Sequence, residues 1–381
     1  DNPALTIGLA MALGMMSQVI ARKFHLPGIV VLLAAGVIFG PDGLSWIQPS
    51  SLGPALQIIV GFAVAVILFE GGMNLRISRI KREELAIRGL ITIGALITLI
   101  GGTLAALIIL GWDFRTSILF GTLIIVTGPT VITPLLKRVR LHHGVSTVLE
   151  AEGILLDAIG AIIAVVALEI ALSPSGLSFI KGLFHIVSRL TIGTIMGIAG
   201  GGLLTLLFRI RKLIPDGLEN VFILSWVFAL FQLANTASPE SGIAAVTIAG
   251  MTIGNSKTYI QKELLEFKEQ LTVLMIGMLF ILLAADVRIT DIQLLGLKGV
   301  LTVLFLMLVI RPLSVFVATA NSDLDTRHKL LLSWIAPRGI VAAAVASLFA
   351  FELNQHGYDG AQLRALVFLL ITMTVLSAGI T

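Results

Sequence analysis

The sequence predicts an all-α polytopic membrane protein of about 13 transmembrane helices, arranged as inverted repeats around two broken crossing helices. The first observation is composition: 57% of the 381 residues are hydrophobic and 13% are charged, whereas soluble domains average about 45–50% apolar and about 25% charged residues. The second is the regular spacing of long apolar runs. The third is the occurrence of prolines inside two of these runs, far apart in the chain.

Apolar runs separated by short polar breaks define the candidate spans, because a helix needs roughly 20 apolar residues to cross a bilayer. Numbered in chain order, the spans cover residues 3–21, 27–41, 55–73, 85–111, 115–136, 144–172, 178–208, 218–236, 239–254, 267–286, 298–319, 328–352 and 361–381. The longest runs predict tilted helices or helices that extend out of the membrane.

Basic residues are concentrated in the loops that follow odd-numbered spans, for example Arg76 and Lys81 after the third. Loops after even-numbered spans hold few, such as Arg115 and Lys181. Because basic loops stay in the cytoplasm, we expect the N-terminus outside and the C-terminus in the cytoplasm, in a bacterial inner membrane. The numbering starts at Asp1 rather than Met, and the chain ends after an apolar run, so we expect a soluble C-terminal tail in the full gene product.

The chain has no cysteine. This excludes disulfides, thiolate chemistry and thiol metal sites. We expect no enzymatic activity, no cofactor and no nucleic-acid partner. The expected partners are the lipid bilayer and small ions.

Two spans carry a proline near their middle. The fifth contains "VTGPT", with Gly128 and Pro129, and the twelfth contains "APRGI", with Pro337 and Gly339. Proline removes a backbone donor and clashes with the preceding turn, and the freed carbonyls need another partner in lipid. Each broken span is the middle member of a three-span group. Interrupted helices at corresponding places in two halves predict a transporter with its site at the midplane.

The sixth span holds a carboxylate that lipid should reject. Gly153, Asp157, Gly160 and Ala164 fall on one helix face, which is small except for the carboxylate. Small residues let another backbone approach closely. We therefore expect Asp157 to face the broken fifth span.

Oxygen atoms suited to a hard cation surround this position in the predicted arrangement. The candidate ligands are Asp157, Glu70 at the end of the third span, Thr127 and Thr130, together with freed backbone carbonyls and water. A proton and a cation that compete for Asp157 are all that exchange requires.

Arg338 in the twelfth span is a buried cation that needs a carboxylate. Pairing it with Glu152 neutralises two charges at once, and an unpaired charge in the membrane costs several kcal/mol. The remaining charges in or near spans are expected to be structural or solvated: Arg189 and Arg311 in ion pairs or carbonyl contacts, and Glu150, Glu169, Glu240 and Asp286 in water.

Five segments together resemble the NhaP/NHE branch of monovalent cation:proton antiporters. They are "LFEGGMNL" at 68–75, "EGILLDA" at 152–158, "ESGIAAVTIAGMTIGN" at 240–255, "IRPLSVF" at 310–316 and "APRGIVAA" at 336–343. The resemblance covers nearly the whole chain and implies the NhaA-like antiporter fold. It makes Asp157 the carrier of proton and cation, and Glu70 and Thr127 ion contacts. It also makes Glu152 with Arg338 a structural pair.

The resemblance further implies a homodimer in which one part of each chain moves. Residues of about 1–75 and 218–286 would form the dimer, and residues of about 85–172 and 298–381 a core that carries the ion across the membrane by an elevator-like motion. A linker helix of about 178–208 would join them.

The sequence departs from the family pattern near the expected site. Leu156 stands where relatives have Asn, Gly153 where they have Ser, and Gly128 where an Asp is frequent. These missing polar groups leave Na⁺, K⁺ and Li⁺ all open. With Asp157 as the only carrier, we expect electroneutral exchange of one proton for one cation. The alternatives are a cation channel and an organic-anion symporter of the same broken-helix architecture.

Overall fold

The structure is a computed structural model, which describes residues 2–24, 26–128, 143–172, 178–210, 214–215, 218–256, 263–335 and 338–380. Within these ranges the chain forms helices and no strands. In chain order the helices are α1 (Pro3–Lys23), α2 (Gly28–Phe39), α3 (Pro54–Asn74), α4 (Ile77–Leu110), α5 (Phe114–Leu123), α6 (His143–Leu172), α7 (Ser178–Arg209), α8 (Glu219–Ala237), α9 (Ser241–Gly254), α10 (Glu263–Asp286), α11 (Ile289–Ala318), α12 (Thr326–Trp334), α13 (Ile340–Gln355) and α14 (Ala361–Ile380).

Eight of the described helices are long and apolar enough to cross a membrane, and four shorter apolar helices accompany them. The predicted all-helical membrane class is therefore confirmed. The count of thirteen spans and the inverted repeats stay predictions. Helix ends follow local chemistry: the Asn2 side chain accepts a hydrogen bond from the Ala4 N–H at 3.1 Å, and Pro54 occupies the first turn of α3, where its missing donor costs nothing.

Close glycine contacts join α1–α3 and α7–α10, which we call set A. A Cβ atom on Gly72 of α3 would lie 2.2 Å from the carbonyl oxygen of Thr247 in α9, and one on Gly197 of α7 would lie 2.6 Å from the carbonyl oxygen of Ala245. These helices touch backbone to backbone, a contact that only glycine permits.

A second group of helices, α4–α6 and α11–α14, is joined in the same way, and we call it set B. A Cβ on Gly89 of α4 would lie 2.0 Å from the carbonyl oxygen of Ala318 in α11. One on Gly160 of α6 would lie 3.2 Å from the backbone nitrogen of Val126.

The seam between the two sets is built differently. Three described glycines have their nearest contacts across it, and each meets only side-chain atoms: Gly71 meets Ile154, Gly182 meets Ile170 and Val166, and Gly379 meets Pro27. Glycines that approach backbone atoms therefore occur within each set, whereas the three described glycines at the seam meet only side chains.

Candidate ion-binding site

The two broken spans meet at a pair of glycines. Helix α5 ends at Leu123, and residues 124–128 leave the helical conformation. The second break lies between Trp334 and Ile340, which confirms that the twelfth predicted span is interrupted. A Cβ on Gly128 would lie 2.1 Å from the Cα of Gly339. The predicted Pro129, Thr130 and Pro337 lie outside the described residues.

Asp157 lies beside this meeting point, in the part of α6 that packs against the non-helical segment after α5. Its side chain is 0% exposed, and neither carboxylate oxygen has a hydrogen-bond partner among the described residues. The close approach of Gly160, one turn later, to Val126 shows why small residues occupy this face. A buried, unsatisfied carboxylate is costly, and a bound proton or cation removes that cost.

Thr127 lies at the same break and faces α6. Its hydroxyl oxygen is 3.5 Å from the carbonyl oxygens of both Glu152 and Gly153, and the side chain is buried. The break therefore places a hydroxyl against the turn of α6 that precedes Asp157.

The helix that carries Glu70 meets α6 from set A. The neighbouring Gly71 packs on Ile154, three residues before Asp157 in α6. Glu70 is partly buried near the end of α3. Its helix thus meets α6 across the seam, on the turn that precedes the carboxylate of Asp157.

The predicted ion pair between Glu152 and Arg338 is wrong, because Glu152 has a different partner. The Glu152 carboxylate instead accepts two hydrogen bonds from Arg311 of α11, at 2.5 Å from Nη1 and 2.9 Å from Nη2. Arg311 also donates to the Leu332 carbonyl oxygen from Nε at 3.3 Å and Nη2 at 3.1 Å. The planar fork of arginine fits a carboxylate in this two-bond arrangement. The expectation that Arg311 makes an ion pair and carbonyl contacts is confirmed.

Arg338 is left with a different environment. It is 7% exposed, its Nε has no hydrogen-bond partner among the described residues, and its backbone N–H donates to the Thr374 hydroxyl at 3.5 Å. Both Glu152 and Asp157 lie within its electrostatic range. Arg338 and Arg311 also line one cavity, together with Trp334. Arg338 is thus a buried cation beside the candidate ion site rather than half of a closed pair.

Sequence reasoning missed two features of other charges. Asp286, expected in water, forms an ion pair with Arg364 of α14. Glu169 is 42% exposed, so it does reach water, but it also accepts a hydrogen bond from Arg189 of α7 at 2.6 Å. The expectation that Arg189 makes an ion pair or carbonyl contacts is confirmed by this ion pair. The partners come from helices far apart in sequence, so no local pattern could have named them.

Comparison with known proteins places these features in a family. The family model described as "Sodium/hydrogen exchanger, transmembrane" matches residues 8–381. The K(+)/H(+) antiporter NhaP2 of Shewanella oneidensis is 28% identical over 99% of this chain and 65% of its own length. The Na(+)/H(+) antiporter 1 of Methanocaldococcus jannaschii is 28% identical over 92% of this chain and 84% of its own length. The chain thus spans less than two thirds of the Shewanella relative.

The fold also matches solved structures. The sodium proton antiporter MjNhaP1 from Methanocaldococcus jannaschii at pH 8 superposes with a TM-score of 0.86 over 98% of both chains, at 24% identity. An electron-microscopy map of MjNhaP1 matches with a TM-score of 0.80. The helical architecture with its interrupted spans is therefore that of a known transporter fold, and the match of the family model over residues 8–381 means that the chain belongs to the transmembrane sodium/hydrogen exchanger family.

Proposed function

We propose that the chain is a secondary active transporter that exchanges Na⁺ or K⁺ for H⁺ by alternating access, with proton and cation competing for Asp157. One observation carries the proposal: Asp157 is fully buried beside the break that follows α5, and described residues donate no hydrogen bond to either of its oxygens. A carboxylate in such a place needs a proton or a cation as its partner. It can hold one of them at a time.

The relatives support the reaction class. One is named a K(+)/H(+) antiporter and another a Na(+)/H(+) antiporter, each 28% identical to this chain. Because both cations occur among relatives of equal identity, the comparison favours exchange without choosing the cation. In this proposal, Glu70, Thr127 and Thr130 join Asp157 as oxygen ligands, which suit hard cations.

The neighbouring charges have roles that follow from their contacts. Glu152 and Arg311 neutralise each other, so neither is available to exchange a proton. Arg338 has no such complete pairing among the described residues, and it lies in electrostatic range of Asp157. Its positive charge favours the ionised carboxylate and opposes a bound cation, which keeps cation binding reversible.

The packing supports an elevator-like motion. Set A corresponds to the predicted dimer-forming part with the linker helix, and set B to the predicted core. The glycines at the seam meet side chains rather than backbone, and packed side chains permit sliding of helices in small steps. We propose that set B carries Asp157 across the membrane past set A, within a homodimer in a bacterial inner membrane, with the N-terminus outside.

The expected stoichiometry is one proton for one cation. Leu156, the residue before Asp157, is 3% exposed and apolar, so it can neither carry a proton nor balance a charge. With Asp157 as the only carrier, each cycle moves no net charge. Glu70 is the residue that would change this stoichiometry if it also lost its proton in each cycle.

Two other functions fit parts of the architecture. A cation channel would need a continuous polar path, usually built from repeated carbonyls or charge rings, whereas the proposed site is centred on one fully buried carboxylate, Asp157. An organic-anion symporter could share the broken helices, but its substrate would not require Asp157 beside Glu70.

Reconstitution into proteoliposomes tests the proposal. A preset pH gradient should collapse when Na⁺ or K⁺ is added and should not respond to choline. The rate should saturate with cation concentration, since each cycle binds one ion. A flux that rises linearly with cation concentration and needs no pH gradient would identify a channel instead.

A further inference from the structure

Two ion pairs join set A to set B at one side of the membrane. Arg364 at the start of α14 in set B pairs with Asp286 at the end of α10 in set A. Glu169 near the end of α6 in set B pairs with Arg189 of α7 in set A at 2.6 Å. Helices α6 and α10 both end on the side that the basic-loop pattern predicts to be outside, and α14 begins there.

Three of these four side chains are shielded from water. Arg364 and Asp286 are 14% and 23% exposed and Arg189 is 5% exposed, whereas Glu169 is 42% exposed. Breaking a pair of this kind leaves a partly desolvated charge, which costs more than breaking a solvated one. The contacts therefore resist relative movement of the two sets.

Among the described residues, a third contact crosses the seam at the same place: Nδ1 of His185 in α7 lies 3.6 Å from the second carboxylate oxygen of Glu169. Glu152 and Arg311 both belong to set B. Asp42 follows α2 and pairs at 2.9 Å with Arg288. The other carboxylate oxygen of Asp42 accepts a hydrogen bond from the Ile289 N–H at 2.6 Å, so this contact reaches the first residue of α11 in set B. Arg288 lies two residues after Asp286 in the chain.

We propose that Asp286–Arg364 and Glu169–Arg189 form a latch that closes the outer side of the transporter and must open each time set B moves. The inference rests on the proposed function, because it presupposes that set B moves relative to set A. It adds a specific claim: the conformation described here is the outward-closed one, and four residues away from the ion site control its lifetime.

The test is a reversible cross-link in a chain without cysteine. Asp286→Cys with Arg364→Cys places two thiols on opposite sides of the seam. Thr6→Cys with Ser51→Cys places two thiols within set A, where the two hydroxyl oxygens lie 3.4 Å apart, and serves as the control. The seam variant removes both charges of its pair together, so neither partner is left unpaired. Both are reconstituted and treated with a short bis-methanethiosulfonate reagent, which reductant cleaves.

Cross-linking across the seam should lower cation-dependent proton flux by about tenfold or more, because a conformational step that gates the cycle is blocked. Reductant should restore the flux, and the control pair should lose none of it. If the Asp286–Arg364 variant does not fold, Glu169→Cys with Arg189→Cys receives the same treatment. Undiminished flux after complete cross-linking across the seam would overturn the latch, while the flux itself would still support cation:proton exchange. Absence of flux in the unmodified chain would overturn the proposed function, and the latch with it.

Discussion

Two carboxylates on one helix have opposite surroundings. Glu152 has both oxygens bonded to Arg311, whereas Asp157, five residues later, has neither oxygen bonded to a described residue. Both are almost fully buried. A carboxylate with two short bonds to a guanidinium is stabilised in its charged form. A carboxylate without a partner among the described residues can alternate between a proton and a cation, which is what the role proposed for Asp157 requires.

Replacing Arg311 should destabilise the protein more than replacing Arg338. Arg311→Ala leaves Glu152 buried without its partner, which costs about 3–5 kcal/mol. Arg338→Ala removes a cation that does not close an ion pair with Glu152, so it should alter cation affinity more than stability. Thermal unfolding of both variants in the same detergent provides the comparison.

The double variant Arg311→Met with Glu152→Leu provides the control. It should recover much of the lost stability, because replacing a buried pair by apolar residues is often neutral or better. Equal melting temperatures for Arg311→Ala and Arg338→Ala would contradict the assignment of the pair.

The sequence identified candidate charged residues within the spans more reliably than it identified the residues that contact them. Asp157 could be identified because a lone carboxylate on a small helix face has no other explanation in lipid. The partner of Glu152 could not be identified from the sequence, because Arg311 and Arg338 are both buried arginines. Only the packing of α11 against α6 decides between them. The expected solvation of Asp286 failed for the same reason, since Arg364 lies on a distant helix.

At the scale of elements, the breaks depend on backbone contact. Gly128 and Gly339 approach so closely that neither can carry a side chain without moving the other segment. Proline at each break was readable from the sequence, and so was the interruption of the twelfth span. The contact between the two breaks could not be read from the sequence, because it joins residues more than two hundred positions apart.

Gly339→Ala should impair both stability and exchange. Its Cβ would lie 2.4 Å from the Cα of Gly128, and overpacking of this kind typically costs about 1–3 kcal/mol. Gly202→Ala in α7 is the control, since a Cβ there meets no described atom within 4 Å. Alanine at that position should be neutral or stabilise α7 by up to about 1 kcal/mol. Wild-type flux in Gly339→Ala would contradict the close crossing.

The N-cap of α5 gives a prediction about pH. Asp113 accepts hydrogen bonds from the Thr116 N–H at 3.1 Å and the Thr116 hydroxyl at 2.7 Å. Partial burial acts to raise the pKa of Asp113, but these hydrogen bonds outweigh it, so the pKa lies below its ordinary value. The charged cap therefore stabilises the fold above the ordinary pKa of about 3.9 and loses that effect as the pH falls through the lower folded pKa.

Asp113→Ala should accordingly lower the free energy of unfolding by about 1 kcal/mol at neutral pH. The deficit relative to wild type should shrink below about pH 4, where the wild-type cap also becomes protonated. Thermal unfolding of the two proteins at several pH values measures this. A deficit that grows on acidification would contradict the role of the carboxylate.

At the scale of the whole molecule, the helices form two sets, each with close glycine–backbone contacts inside it, and the described glycines between the sets meet side chains. Helical class, approximate spans and the two breaks followed from hydropathy and proline, because lipid imposes strong rules on composition. The division into sets was implied by family resemblance. That division stays a prediction. The glycine contacts in the structure depend on three-dimensional packing that a single sequence does not encode locally.

Exchange should be insensitive to membrane potential. One proton against one cation moves no net charge, and Leu156 offers no second carrier beside Asp157. In proteoliposomes with a potential set by a thiocyanate gradient and no pH gradient, neither Na⁺ nor K⁺ should accumulate. Accumulation driven by voltage alone would refute the one-for-one scheme and make Glu70 a second proton carrier.

The most direct test of competition at Asp157 is proton release on cation binding. Purified protein in weakly buffered detergent solution receives NaCl or KCl, with choline chloride as the control for ionic strength, and the pH is followed. The wild-type protein should release protons as the cation binds, because one carboxylate cannot hold both. Glu150→Gln should release protons like the wild type. Asp157→Asn should release no protons although it unfolds at the same melting temperature as the wild type. Proton release by Asp157→Asn equal to that of the wild type would contradict the account.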